Sequence, residues 1–276
     1  MVDTRRVVKL PSITVITPCL NAAATIEETL ASVRSQGYPQ LEHLVIDGGS
    51  TDGTLELARR AEGVRVVSEP GGGRAEAAGK GLALASGEVV GWLNADDLYE
   101  PGALEAVGRA FAESPGAAWV TGYCRIVDGE GHEVRRAVTA YKNALLRHYS
   151  LGLHLTQNFV SDPATFARRE ALLAAGPLDP ELPTAHDYDL WLRLARSGPP
   201  LVLRRSLAAF RMSEGTLSMA GFERQFVEHA EVARRHGEGH RASVAVNRLI
   251  SRAIVAVYRT LRARRRRLAR GAGPDA

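Results

Sequence analysis

Short apolar runs alternate with helical patterns over the first hundred residues. The runs are rich in β-branched residues and predict buried strands at 13–17, 43–46, 64–68 and 89–93. Apolar residues at helical spacing lie between and after them, at about 25–36, 54–60, 75–85 and 101–112. Because such units connect by right-handed crossovers, we expect an α/β fold with a mainly parallel, Rossmann-like sheet flanked by helices.

In a sheet of this kind, ligands bind beyond the carboxyl ends of the strands. Asp96 and Asp97 follow the fourth predicted strand. Adjacent carboxylates are hard oxygen ligands that Mg²⁺ or Mn²⁺ accepts, with substrate phosphates completing the shell. The pair alone does not decide the matter, because Asp97 could instead cap the helix that begins at Pro101.

Asp47 ends the second predicted strand and is followed by a glycine-rich turn. Since Asp52 and Gly53 alone satisfy that turn, we favour a ligand role for Asp47, as an acceptor for a base or a ribose. Arg74 follows the third strand and could pair with a phosphate or lie in solvent. The glycines before it do not form a dinucleotide-binding fingerprint, because Glu76 stands where the third glycine belongs.

Asp187 begins a later helical pattern at about 187–196. An aspartate at this position commonly caps the helix. It could also be a general base that takes a proton from a hydroxyl group. The pattern leaves both interpretations open.

Four motifs now stand in order along the chain: ITVITP with Asn21, VIDGGSTDGT, WLNADDLY and DYDLWLR. Together they resemble glycosyltransferase family 2 over about residues 12–215. The resemblance implies a GT-A fold and sugar transfer with inversion. The expected donor is a nucleoside-diphosphate sugar, a UDP-sugar by preference, and the acceptor a hydroxyl of a glycan or lipid-linked molecule.

The resemblance also implies roles for single residues. Asp187 matches the catalytic base, and Arg74 matches a donor-binding arginine. Asp47 would contact the nucleobase, with Pro18 and Leu20 lining its pocket. Asp96 would approach the ribose or the metal, and Asp97 would ligate the metal, Mg²⁺ or Mn²⁺.

Some positions depart from the family pattern. His186 precedes the base where Glu is frequent, and Gly79 stands where an Asn is usual. Met212 and Ser213 follow Arg211 where relatives carry His, which removes one contact to phosphate or metal. Asn94 replaces an acid, so the metal is expected to rest mainly on Asp97.

The basic residues are concentrated at the C-terminus. Ten of the 35 lie between Arg241 and Arg270, where there is no acid. Residues 1–240 contain the other 25 together with 30 acids, so this part of the chain carries a net negative charge. Nucleic-acid-binding folds carry a basic face, so we predict no nucleic-acid partner. We expect three parts: an N-terminal arm (1–11), a GT-A domain (12–215) and a helical, Arg-rich extension (216–276) broken near 237–239.

Two interpretations of this extension stay open. Its apolar residues could pack on the catalytic domain while the arginines face water; this set is Val244, Val246, Leu249, Ile250, Ile254, Val257, Tyr258 and Leu261. Alternatively, the arginines of 262–270 could rest on anionic lipid, which would place the protein on a membrane surface.

Other features bear on location and on rival functions. The chain has two cysteines, no apolar run of roughly 20 residues and no secretory signal, so we expect a cytoplasmic protein, with the membrane's cytoplasmic face as a second option. The histidines show no paired spacing typical of a metal site. A non-catalytic GT-A-like binding module would not need the four aspartates, and a sugar-phosphate nucleotidyltransferase would need a glycine-rich basic loop after the first strand.

Overall fold

The computed structural model describes residues 9–71, 73–212 and 222–271, with residues 222 and 261–271 described by backbone alone. Most of the expected N-terminal arm, Ser213 and residues 272–276 lie outside these ranges. The strands are β1 (Ile13–Cys19), β2 (Leu41–Asp47), β3 (Val64–Ser68), β4 (Val89–Trp92), β5 (Leu98–Tyr99), β6 (Trp119–Val127), β7 (Thr165–Arg168) and β8 (Leu201–Arg211).

The helices of the described ranges confirm those expected in the first hundred residues. They are α1 (Ile26–Arg34), α2 (Thr54–Arg60), α3 (Arg74–Leu84), α4 (Ala103–Glu113), α5 (Arg136–Arg147), α6 (Leu151–His154), α7 (Arg169–Ala175), α8 (His186–Leu194), α9 (Phe222–His236) and α10 (Arg241–Gly271). A short 3₁₀ turn, Asp162–Ala164, precedes β7, and another, Ala195–Ser197, follows α8.

The strands form one sheet in the order β3-β2-β1-β4-β7-β6-β8-β5. The half built from β1 to β4 is parallel, and β6 runs parallel to β8. Antiparallel pairing joins β7 to both β4 and β6, and β5 to β8. The sheet is therefore mixed rather than uniformly parallel, and β7 is the strand that connects its two halves.

Both faces of the sheet are covered, as expected for this fold class. Strand β1 is buried along its whole length, with Ile13 and Val15 in one apolar cluster and Ile16 in the other. Alternating residues of a strand point to opposite faces, so β1 supplies both cores. The second cluster includes Trp92, Trp119 and Trp191, whose rings lie 6.1 to 6.3 Å apart between neighbouring centroids.

Strand β6 is long and irregular. Residues 119–127 form it without a break, and only an isolated bridge joins Val127 to Glu133. Its register with β8 shifts at Gly122 and Tyr123. A Cβ at Gly122 would lie 2.5 Å from the Leu207 side chain, so only glycine fits that shift.

The last two helices are attached to the sheet domain through apolar and polar contacts. Val232 and Ala233 of α9 are buried in one apolar cluster with residues of α8. His236 of α9 lies 2.7 Å from Asp189 of α8, measured between Nε2 and Oδ1. Asn247 of α10 donates a hydrogen bond to the Leu155 carbonyl at 3.1 Å. The predicted break near 237–239 is confirmed between α9 and α10. Among the described helices, none combines the length and the apolar character needed to cross a bilayer.

Candidate functional site

The turns after β1 and β2 are tied together at the carboxyl edge of the sheet. Asn21, whose φ is 51°, donates its backbone N–H to the Ser50 hydroxyl and accepts the Thr51 N–H on its side chain, both at 2.9 Å. Asp52 accepts the Ala23 and Thr54 N–H groups at 3.0 Å. These bonds fix the shape of the loop on which Asp47 lies.

Asp47 also takes part in that turn, which we had attributed to Asp52 and Gly53 alone. Its carboxylate accepts the Gly49 and Ser50 N–H groups at 3.1 and 3.2 Å, and the Ser68 hydroxyl at 2.7 Å. Burial by itself would raise the pKa of Asp47, but these hydrogen bonds lower it. The group is therefore an ionised acceptor at the end of β2, and its geometry is set by the chain itself.

Asp97 is completely buried. Its Oδ1 accepts the backbone N–H of Arg211 at 3.0 Å, and its Oδ2 accepts the Asn94 amide at 2.8 Å. Burial, together with the neighbouring Asp96, raises the pKa of Asp97, and the two hydrogen bonds only partly oppose this. Asp97 thus joins the loop after β4 to the end of β8.

Asp96 is the more accessible member of the pair. Its side chain is partly exposed, and within the described ranges it receives no hydrogen bond from another side chain. Burial raises its pKa, while the Arg74 and Arg211 guanidinium groups act in the opposite direction. We expected the metal to rest mainly on Asp97, but the Asp96 carboxylate is the one that is accessible to a ligand.

The loop after β4 fits a divalent cation that takes few protein ligands. Asn94 lines the cleft described below, and its Oδ1 is buried without a hydrogen-bond partner among the described residues. Such an atom is costly unless something binds it. With the Asp96 carboxylate, it offers the hard oxygen ligands that Mg²⁺ or Mn²⁺ takes from protein before water and phosphate complete the shell.

A second group of metal-binding side-chain types lies on the turn after β6. Asp128, Glu130 and His132 hold their ligand atoms within 4.8 Å of one another, a proximity that the histidine spacing did not predict. Asp128 accepts the backbone N–H groups of the other two residues at 2.9 and 3.0 Å. These bonds explain the cluster as a hydrogen-bonded surface turn.

Asp187 lies in the first turn of α8 but does not cap it. The N-cap position is Ala185, and no side chain makes a capping hydrogen bond there. The Asp187 Oδ2 atom instead accepts the Asn158 amide at 3.3 Å. Of the two interpretations left open by the sequence, capping is therefore contradicted, and the partly exposed carboxylate remains available for chemistry.

A cleft at the carboxyl edge brings together three of the expected residues, Pro18, Arg74 and Asp187, whereas Asp47, Asp96 and Asp97 are not part of its lining. Asn94, Asp162 and His186 supply the rest of its polar lining, and Ala78, Trp92, Leu178 and Leu190 supply apolar side chains. Arg74 is close enough to lower the pKa of both Asp96 and Asp162. Leu20 is 58% exposed and lies beside Gly48, so it is at the surface rather than in this lining.

Three polar residues of the site were not predicted from the sequence. Asp162 lines the cleft, and burial together with Asp187 raises its pKa, which Arg74 opposes. Lys142 donates a hydrogen bond to the Ser161 hydroxyl at 3.2 Å, and Asn158 holds Asp187. All three come from residues 140–162, where no clear periodicity marked an element; the Asp162-Pro163 step was the one local turn signal.

The comparisons with known proteins bear on the family and on the fold. The family described as Glycosyl transferase family 2 matches residues 14–173. The O-antigen biosynthesis protein RfbC of Myxococcus xanthus is 32% identical over 199 residues, which cover 70% of this chain and 15% of that protein. The chain spans less than a fifth of the length of this relative and of the two that follow it.

Two solved structures share the fold. A mannosyltransferase from Pyrobaculum calidifontis, in complex with GDP-Man and Mn²⁺, gives a TM-score of 0.69 at 22% identity and covers 97% of this chain and 77% of its own. TarS 1–349 of S. aureus, in complex with UDP, gives 0.58 at 21% identity over 80% of this chain and 65% of its own. Identities this low establish the architecture alone.

Proposed function

The chain belongs to glycosyl transferase family 2, and we propose that it moves a sugar, with inversion, from a nucleoside-diphosphate donor to an acceptor hydroxyl. It has the GT-A-like fold and is a glycosyltransferase. One observation carries the finer proposal: the Arg74 guanidinium and the Asp187 carboxylate line the same cleft, and Asp187 is not used for helix capping.

The donor side is formed by the turns after β1, β2 and β4. Asp47 is ionised and buried at the end of β2, and we assign it the nucleobase N–H as a further donor beyond the three that it already accepts, with Pro18 and Leu20 beside it. Arg74 begins α3 and is exposed, which lets its guanidinium pair with the diphosphate. The positive end of the helix dipole adds to this attraction for an anion.

Asp96 is the carboxylate that we assign to the divalent ion, Mg²⁺ or Mn²⁺, with the Asn94 amide oxygen beside it. Asp97 then holds the loop in place from behind. A bound cation supplies charge neutralisation for the diphosphate as it leaves. This assignment reverses the order expected from the sequence, because the Asp97 oxygens are already occupied by Arg211 and Asn94.

Asp187 acts on the acceptor. It takes the proton of the attacking hydroxyl while the oxygen forms a bond to the anomeric carbon and the bond to the diphosphate breaks on the opposite face. One displacement inverts the configuration, through a transition state with oxocarbenium character. Asn158 keeps the carboxylate turned toward the cleft, and Asp162 adds a second acceptor for substrate hydroxyls.

We further propose a role in assembling a cell-envelope polysaccharide, with a glycan or a lipid-linked molecule as acceptor. The RfbC similarity supports this class of product. A cytoplasmic location remains part of the proposal, as does the division into a domain at 12–215 and an extension at 216–276. Cys19 and Cys124 are both unpaired and buried, which suits a reducing compartment.

A thermal-shift panel of nucleotide sugars, with and without Mn²⁺, tests the donor site. We expect at least one UDP- or GDP-linked sugar to raise the melting temperature, more so with the metal present. Asp96→Asn should abolish the metal-dependent part. If no nucleotide sugar stabilises the protein under either condition, the proposed activity is wrong. A non-catalytic binding module for nucleotide sugars would then be excluded as well.

A further inference from the structure

One face of helix α10 presents apolar side chains to solvent. Val246, Leu249 and Val257 are 43%, 69% and 60% exposed. At about 100° per residue, these three positions fall within a sector of about 80° on the helix. Ala242 and Ala253 lie in the same sector and are also exposed. Together these five residues form an apolar stripe.

The opposite face of α10 is the one that contacts the rest of the protein, and it carries partly buried apolar residues as well as polar ones. Asn247 and Ser251 are 1% and 6% exposed. Asn247 donates to the Leu155 carbonyl and accepts a hydrogen bond from Ser251 at 3.3 Å. A surface helix normally buries its apolar face. The apolar residues of α10 that we expected to pack on the domain are therefore divided: Val244, Ile250, Ile254 and Tyr258 are partly buried, whereas Val246, Leu249 and Val257 face solvent.

A row of arginines borders the apolar stripe. Arg241, Arg248, Arg252 and Arg259 are exposed and share a sector of about 40° next to it. Arg259 also pairs with Glu223 at 2.9 Å. Six more arginines follow between 262 and 270, and no acid occurs from 241 to 270. The exposed side of the helix therefore combines apolar surface with an excess of positive charge.

We infer that α10 is a membrane-surface helix that binds anionic phospholipid headgroups. The apolar stripe enters the boundary between headgroups and acyl chains, and the arginine row contacts lipid phosphates. A second copy of the chain is a poor occupant, because it would bring two arginine rows together. A nucleic acid would account for the arginines but not for the exposed stripe.

The attachment point of α10 relates the membrane to the cleft. Asn247 contacts the Leu155 carbonyl, and the preceding carbonyl, that of His154, accepts the Tyr188 hydroxyl at 2.8 Å. Tyr188 follows Asp187 in the chain. The lipid surface would therefore lie on the side of the base, where an acceptor carried by a lipid could enter; this last step rests on the proposed function.

Vesicle co-sedimentation of the full chain, without donor, tests the inference. We expect binding to vesicles of phosphatidylcholine mixed with phosphatidylglycerol, and none to phosphatidylcholine alone. Replacing Arg241, Arg248 and Arg252 by Gln should weaken partitioning on the order of a hundredfold. The matched control replaces three exposed arginines elsewhere, Arg59, Arg60 and Arg65, and should leave binding within about threefold of wild type.

The apolar stripe is tested separately. Val246→Ser combined with Leu249→Ser and Val257→Ser should weaken partitioning at least about tenfold. Leu173→Ser, at an exposed leucine of α7, is the control and should change nothing. Circular dichroism verifies that each variant is folded.

Three results would overturn the inference: no binding to the anionic vesicles, equal binding by the serine variant, or a dimer in sedimentation that the serine variant abolishes. Because no donor is present, these outcomes are independent of the glycosyltransferase activity.

Discussion

Asp96 and Asp97 are adjacent in the chain but lie in different environments. Asp97 is enclosed between the loop after β4 and the end of β8, where it accepts two hydrogen bonds. Asp96 is partly exposed beside Arg74. Adjacent acids can thus divide into one that supports the loop and one that meets the ligand, and the environment of each decides which.

This division predicts opposite consequences for two substitutions. Asp96→Asn should leave the free energy of unfolding unchanged, because the side chain holds nothing in place, but should weaken Mn²⁺-dependent donor binding at least about tenfold. Asp97→Ala should lower the free energy of unfolding by about 2–4 kcal/mol, because it leaves the Arg211 N–H buried and unpaired. Urea unfolding and calorimetric titration measure the two effects. The reverse result would restore Asp97 as the metal ligand.

Single residues could be predicted where a motif marked them. Asp47, Arg74 and Asp187 were identified as candidates, but the number of hydrogen bonds made by Asp47 depends on the turn closing over it. Asp162 was not predicted, since an aspartate before a proline resembles any turn. Its place in the site is visible only in the structure, where the turn before β7 brings it to the same cleft as Asp187.

Helix α9 supports α8 from the side remote from the sheet. Glu228 accepts both the backbone N–H and the hydroxyl of Thr184, at 2.9 and 2.7 Å, just before α8 begins. Asp189 of α8 joins His236 at the end of α9, as well as Arg193. The helix that carries Asp187 is therefore held by α9 just before it begins and again within its first turn.

Glu228→Ala tests this support. The change leaves the Thr184 N–H without its acceptor in a buried setting, and should lower the free energy of unfolding by about 2–3 kcal/mol. Glu231→Ala on the same helix removes surface pairs with Arg234 and Arg235 and should cost no more than about 1 kcal/mol. Chemical denaturation compares the two. Equal losses would mean that α9 contributes only surface charge pairs.

At the scale of elements, the strands were predictable because buried parallel strands are continuous apolar runs. The long strand β6 was less so, since Gly122 breaks the apolar pattern where the register shifts. The helices between 136 and 175 have no strong signal because each of them buries only one or two residues. Orientation was the hardest property: the sequence showed that α10 is amphipathic, but not which face it turns outward.

The whole molecule encloses several neutral histidines. Burial lowers the pKa of His43 and of His229 to about 4, and that of His154 to about 3, from an ordinary value of 6.5. Below pH ~6.5, these three histidines therefore bind more protons in the unfolded chain than in the folded protein. Each histidine consequently removes stability as the pH falls from ~6.5 toward its folded pKa, while the raised pKa values of Asp97 and Asp162 act in the opposite direction.

Comparing His229→Phe with wild type isolates one of these contributions. Within the described residues, the His229 Nε2 atom has no hydrogen-bond partner, and the ring packs against Tyr188. The stability difference between the variant and wild type should shift in favour of the variant by about 1.5–2 kcal/mol between pH 7 and pH 5. Urea unfolding at both pH values measures it. A difference independent of pH would mean that His229 is charged in the folded protein or neutral in the unfolded one.

The most direct test of the account separates donor binding from transfer in Asp187→Asn, using the nucleotide sugar that the thermal-shift panel selects. The variant should bind that donor with the wild-type dissociation constant, because Asp187 is placed on the acceptor side of the cleft. Its rate of sugar transfer, followed as nucleoside-diphosphate release, should fall on the order of 10²–10⁴-fold. Transfer at the wild-type rate, or a loss of donor binding as large as the loss of rate, would contradict the assignment of Asp187 as the base.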